Sequence, residues 1–204
     1  MRLGKIKKIF VFGDSIAYGK WDLEGGWVAR LRRQIDAEYN IGRTANIQVY
    51  NLSWPGELAT HLVDRFKSEF LDRRPGDDTL VVLAVGLNDS STSNWLKGVQ
   101  SSELDFKQVF NSMISLARDQ LANVVCIGLT PVNEHEGYSN DQVIRFDGYI
   151  TDICQQLNVP KLELFKELVS CNFKQYLVDA VHPNDAGHKL LAEQIISFIE
   201  STIK

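Results

Sequence analysis

Four short segments of this chain carry the residue types that acyl-bond cleavage requires. They are Gly13-Asp14-Ser15, Gly56, Gly86-Leu87-Asn88-Asp89 and Asp179-Ala180-Val181-His182-Pro183. A serine hydroxyl is a poor nucleophile until a neighbouring base takes its proton. Histidine suits that transfer near neutrality. A carboxylate on the far ring nitrogen selects the tautomer and steadies the imidazolium. Donors fixed in advance must then meet the negative charge that develops on the attacked carbonyl oxygen. Ser15, His182 and Asp179 are the candidates for nucleophile, base and orienter. The backbone N–H groups of Ser15 and Gly56 and the side-chain amide of Asn88 are the candidate donors.

The other three histidines fit the role of base less well. His61 falls inside an amphipathic helical pattern and reads as a surface or packing residue. His135, in Glu134-His135-Glu136, can touch a substrate but has no evident orienter. His188 lies within the last helical pattern and reads as an ordinary helical residue. His182 differs because Asp179 precedes it by three positions and Pro183-Asn184-Asp185 then opens a helix. In a turn, that spacing brings a carboxylate to one ring nitrogen and leaves the other facing outward. Asp14 can tie down the loop that carries Ser15, and Asp89 is expected to brace its loop rather than to perform chemistry.

These residues need a scaffold, and apolar runs alternating with helical periodicity supply one. The strand candidates are Ile9–Phe12, Ile47–Leu52, Leu80–Val85, Val124–Leu129 and Lys161–Leu164. Helical spacing marks 26–38, 57–70, 102–121, 140–157 and 184–203. In 102–121 the inward stripe is expected to be Leu104, Val109, Met113, Leu116 and Ala117. Alternation of this kind predicts a parallel sheet covered on both faces. In a sheet ordered 2-1-3-4-5 the first strand lies between the second and third, which sets Ser15, Gly56 and Asn88 side by side. Segments 90–101 and 132–139 follow strand ends, where loops border ligand pockets. Trp21, Trp54 and Trp95 lie in loops near the proposed site and offer either an apolar or sugar-stacking surface or plain packing.

The 204 residues suffice for one domain with a substantial core, and no linker or repeat divides them. A net charge of −4 argues against a nucleic-acid partner. The densest basic group, Arg30, Arg32 and Arg33, is expected to form a solvated helix face. Cys126, Cys154 and Cys171 are odd in number and show no metal-ligand spacing. Cys126 reads as a core residue, and the set points to a reducing, cytoplasmic setting. The apolar stretch after the basic N-terminus is too short for a secretion signal, and no segment reaches transmembrane length.

The four blocks together resemble the GDSL/SGNH hydrolase family. Gly13-Asp14-Ser15-Ile16 is similar to its first block, with Ile16 in place of the usual leucine. Gly86-Leu87-Asn88-Asp89 is similar to the G-x-N-D block, and Asp179 to Pro183 to the D-x-x-H-P block. The second block, around Gly56, is the loosest. The resemblance spans nearly the whole chain. It implies a three-layer α/β/α sandwich with a flavodoxin-like, five-stranded parallel sheet. It also implies a serine esterase or lipase acting through an acyl-enzyme on Ser15, without metal or organic cofactor. The substrate would be a small acyl ester or thioester. A different reading of the same alternation is a flavodoxin-like binding or receiver module with Asp14 at its strand end. It leaves Asn88 and His182 without a role.

Overall fold

The computed structural model describes residues 3–92, 101–135 and 137–203. Its centre is one parallel sheet of five strands: β1 (Lys8–Gly13), β2 (Gln48–Asn51), β3 (Thr79–Ala84), β4 (Asn123–Ile127) and β5 (Lys161–Leu162). Their order is β2-β1-β3-β4-β5. Register sets Phe10 between Tyr50 on β2 and Val81 on β3, and Val82 of β3 against Val125 of β4. Apolar side chains along β1 and β3 point to both faces and are buried on both, as an unbroken apolar run requires. The edge strand β5 is shorter than the expected Lys161–Leu164. It pairs only through Lys161 and Leu162, after which Leu164 turns inward and starts a helix.

Seven α-helices are found among the described residues: α1 (Ser15–Tyr18), α2 (Gly26–Asn40), α3 (Ala59–Leu71), α4 (Glu103–Asp119), α5 (Asn140–Leu157), α6 (Phe165–Ser170) and α7 (Asp185–Thr202). One layer packs α3 against α4 and α4 against α5; the other packs α2 against α7. The result is the expected three-layer α/β/α sandwich. None of the helices among the described residues is long and apolar enough to cross a membrane. Periodicity did not reveal α6 or the 3-10 turn Phe173–Tyr176, both too short to show a repeating stripe.

Asp14 ties down the turn after β1 as expected: it is the N-cap of the one-turn helix α1, which Ser15 begins, and accepts a hydrogen bond from the Ile16 N–H. Three further expectations are corrected. The helix expected from Glu57 starts at Ala59, because the chain at Gly56 takes a left-handed turn and Glu57 turns aside to pair with Arg65. On α4 the buried stripe is Phe106, Phe110, Met113, Ile114 and Ala117, whereas Leu104 is 73% exposed. The stripe obeys helical spacing, and Leu104, two residues before Phe106, lies on the far side of the turn. Arg30 is no solvated residue either: it is enclosed between Asp22 and Asp185, while Arg32 and Arg33 are exposed as expected.

Candidate active site

The carboxyl ends of adjacent parallel strands, where crossovers leave in opposite directions, form a crevice. β1 lies between β2 and β3, so the loop after each of these strands opens onto the same cleft. Ser15, Gly56 and Asn88 all line it, together with Asp179 and His182. Its volume is about 900 Å³.

Gly13 ends β1 where only a hydrogen atom fits. A Cβ there would stand 2.6 Å from the Ala17 Cβ and 2.8 Å from the Ala84 carbonyl. The chain can therefore turn tightly into α1 and present Ser15 at the sheet edge. Asp14 beneath it is 3% exposed, and burial pushes its carboxyl up to about 7. A carboxyl so enclosed is not an accessible phosphoacceptor, which removes the structural basis for a receiver module.

His182 reaches the cleft from a loop that folds back on itself. The Val178 N–H donates to the His182 carbonyl at 2.8 Å, and the Asn184 N–H to the Tyr176 carbonyl at 2.7 Å. Asn184 then caps α7 through its side chain. Within this loop the Asp179 carboxylate accepts the N–H groups of Val181 and His182 at 2.9 and 2.8 Å, and faces the His182 Nδ1 at 2.7 Å. The opposite ring nitrogen, Nε2, lies 2.7 Å from the Ser15 Oγ. Burial raises the Asp179 carboxyl, but the two backbone donors and the imidazole outweigh it and hold the group at about 2. Burial lowers His182 below 6.5 against the pull of Asp179. Burial thus favours the neutral ring, the form able to take a proton from a hydroxyl beside it.

Asn88 and Asp89 tie the second and third blocks together. The Asn88 Nδ2 donates to the Glu57 carbonyl at 3.0 Å, and the Asp89 carboxylate accepts the Ala59 N–H at 3.0 and 3.1 Å. Asp89 is therefore the acceptor at the N-terminus of α3, where Leu58 offers no side-chain cap. It braces the loop as expected. Asn88 has a second amide hydrogen to offer the cleft.

Sequence reasoning missed three contacts. The Tyr138 hydroxyl donates to the Asn88 Oδ1 at 3.2 Å, fixing which end of the amide carries the N–H groups. Trp21 places its indole nitrogen 3.0 Å from the Asp179 Oδ2. His188, taken for an ordinary helical residue, is fully buried with Nε2 3.4 Å from the Lys20 carbonyl. The only advance signal for Tyr138 was its place in segment 132–139, of which Asn133, Glu134, His135 and Tyr138 line the cleft. Of segment 90–101, Ser90 to Thr92 and Ser101 border a separate polar recess beside Arg145 and Tyr149. Trp95 lies outside the described residues. Trp54 is exposed and carries the Arg65 guanidinium over its ring.

Fold and site together define a doubly wound α/β protein with a Ser–His–Asp chain of hydrogen bonds at its switch point. The GDSL-like Lipase/Acylhydrolase family matches residues 11–190, and the chain belongs to it. It is accordingly a carboxylic ester hydrolase. No curated protein matches the chain by sequence. Among solved structures, it is similar to the acetylxylan esterase of Geobacillus stearothermophilus at TM-score 0.77 and 17% identity, over 98% of this chain and 96% of that one. An acetyl xylan esterase, AlAXEase, matches at TM-score 0.76 and 21% identity, over 93% of this chain and 98% of that one. The lipase/acylhydrolase from Enterococcus faecalis matches at TM-score 0.76 and 20% identity, over 98% of each chain. At such identities the likeness is one of fold.

Proposed function

We propose that the protein is a serine esterase in which Ser15 forms an acyl-enzyme with a small acyl group. The observation that carries this reading is the 2.7 Å separation between the His182 Nε2 and the Ser15 Oγ. His182 takes the hydroxyl proton as Ser15 attacks the ester carbonyl. It gives that proton to the departing alcohol or thiol, then activates water to release the acid. Asp179 holds the ring in the tautomer that leaves Nε2 as acceptor and stabilises the imidazolium. The backbone N–H groups of Ser15 and Gly56 and the Asn88 amide receive the oxyanion.

The walls of the cleft bear on the substrate. Lys20, Asn133, Glu134 and His135 give one part of the cleft charge and hydrogen-bonding groups, while Pro55, Leu177, Val178 and Val181 give it an apolar part. Such a cleft can seat a small acyl group beside a polar alcohol, and the acetyl xylan esterases of similar fold make acetylated sugars the first compounds to assay. One continuous buried core supports treating the chain as one domain. Three free cysteines support a cytoplasmic setting.

A fluorophosphonate probe is expected to label Ser15 in the wild-type protein and to leave Ser15→Ala unmodified. Hydrolysis should favour acetyl over long-chain esters in a panel that includes acetylated sugars and thioesters. Folded protein that takes no probe and cleaves none of the panel refutes the reading.

A further inference from the structure

We propose that Trp21 is a positioning residue whose indole N–H holds the Asp179 carboxylate in line with His182. This rests on the roles assigned above to Ser15, His182 and Asp179. The two oxygens of Asp179 are used differently. Oδ1 is fixed by its own loop, through the Val181 and His182 N–H groups. Oδ2 stands closest to the His182 ring, and its further donor comes from elsewhere in the chain, the Trp21 Nε1 at 3.0 Å. The Asp179 side chain is 42% exposed, so water can solvate that oxygen. Water does not fix its direction, whereas an indole on a rigid segment does.

The segment bearing Trp21 is rigid for reasons visible in the structure. Trp21 has a φ of 67°, in the left-handed region that bulky residues avoid. Such a conformation persists where surrounding contacts over-determine it, and it concentrates at functional sites. Here the contacts are many. The Asp22 carboxylate accepts the N–H groups of Glu24 and Gly26 at 3.1 and 2.7 Å and pairs with Arg30. Arg30 also pairs with Asp185 at the start of α7, immediately beyond the His182 loop. His188 of α7 sits under the Lys20 carbonyl. The Trp21 segment and the His182 loop are thus anchored to one helix, and the indole spans the gap between them. Trp21 is 59% exposed, and it is its indole N–H that meets the Asp179 carboxylate.

The test replaces Trp21 by β-(3-benzothienyl)alanine, which keeps the ring shape and lacks the N–H, with Trp21→Phe beside it. Both are assayed on a short-chain p-nitrophenyl ester. The kcat is expected to fall about tenfold, the size of a lost hydrogen bond to a charged acceptor, with KM within about twofold. The acid limb of kcat/KM should also move to higher pH, because an Oδ2 released from the indole attracts the imidazolium more strongly. The charged and titratable groups around that ring are Asp179, Lys20 and His188, with Glu134 and His135 across the cleft, and all are unaltered in these variants. An isostere with wild-type kcat and an unmoved limb, or a loss confined to KM, overturns the proposal. Failure of the probe to label wild-type Ser15 would instead sink the underlying assignment, so the two failures are distinguishable.

Discussion

The Asn88 amide and the Glu57 carbonyl, 3.0 Å apart, join the loops after β3 and β2 across the end of β1, the strand that leads into Ser15. One amide hydrogen is spent on this bond, and the Tyr138 hydroxyl holds the carbonyl end. The remaining hydrogen is therefore aimed without freedom to rotate. Removing the amide by Asn88→Ala should lower kcat by roughly a hundred- to a thousandfold with KM little changed. Tyr138→Phe keeps the amide but frees its rotation, and the expected loss is smaller, about threefold to tenfold in kcat. Steady-state kinetics on one ester checks both. A loss in Tyr138→Phe that equals that of Asn88→Ala would contradict this division of roles.

Asp179 raises the affinity of His182 for its proton, while burial lowers it further than Asp179 restores. The acid limb of kcat/KM in the wild-type enzyme should accordingly fall below pH 6.5, where the free imidazole ordinarily titrates. Asp179→Asn removes the raising influence, so the limb should shift to still lower pH. Turnover at the plateau should drop by about three to four orders of magnitude, because the wrong tautomer then faces Ser15. A pH–rate profile of both proteins decides the matter; a limb that moves upward in the variant contradicts the assigned environment of His182.

Asp14 makes stability depend on pH in a direction opposite to that of a salt-bridged carboxylate. Burial, reinforced by the nearby Asp89, keeps its proton on up to about pH 7, against an ordinary value of 3.8. The native state thus binds this proton more tightly than the unfolded chain does. Its contribution to stability is greatest at low pH, declines as pH rises through that interval, and is fully lost above it. Asp89, raised by burial to about 6, acts in the same sense. Asp14→Asn retains an acceptor for the Ile16 N–H and removes the titration. Relative to wild type it should gain on the order of 1–3 kcal/mol between pH 5 and pH 8, measured by urea unfolding at each pH. A difference that does not vary with pH would show that Asp14 is already ionised in the native state.

The reassigned face of α4 yields a paired stability prediction. Phe106 is fully buried and packs edge-on against Phe146 at a centroid distance of 5.1 Å. Phe106→Ala should cost about 3–5 kcal/mol. Leu104→Ala, on the exposed side, should stay within about 0.5 kcal/mol of wild type. Equal losses in thermal or chemical unfolding would return Leu104 to the core.

Much of the site was readable in order along the chain. Ser15 follows an apolar run, and Asp179 and His182 meet through a local turn whose hydrogen bonds close within three residues. The strands were recognisable because burial on both faces demands uninterrupted apolar residues, a property of consecutive positions. The same logic failed for the fifth strand, whose length is limited by its partner β4, and for α4, where Met113 and Ala117 belong to the expected and the observed stripe alike and packing decides that Phe106, Phe110 and Ile114 complete it.

What the amino-acid order determined by itself was the set of reactive groups, the alternation of elements and the turn that joins His182 to its carboxylate, since each depends on short-range spacing. Tertiary structure alone decided that Asp89 caps α3, that Tyr138 orients Asn88, that Arg30 is enclosed and that Trp21 reaches Asp179. Those contacts join segments far apart in the chain. Such hydrogen bonds leave no periodic trace in sequence, because their partners are chosen by how the crossovers pack rather than by what lies next to them.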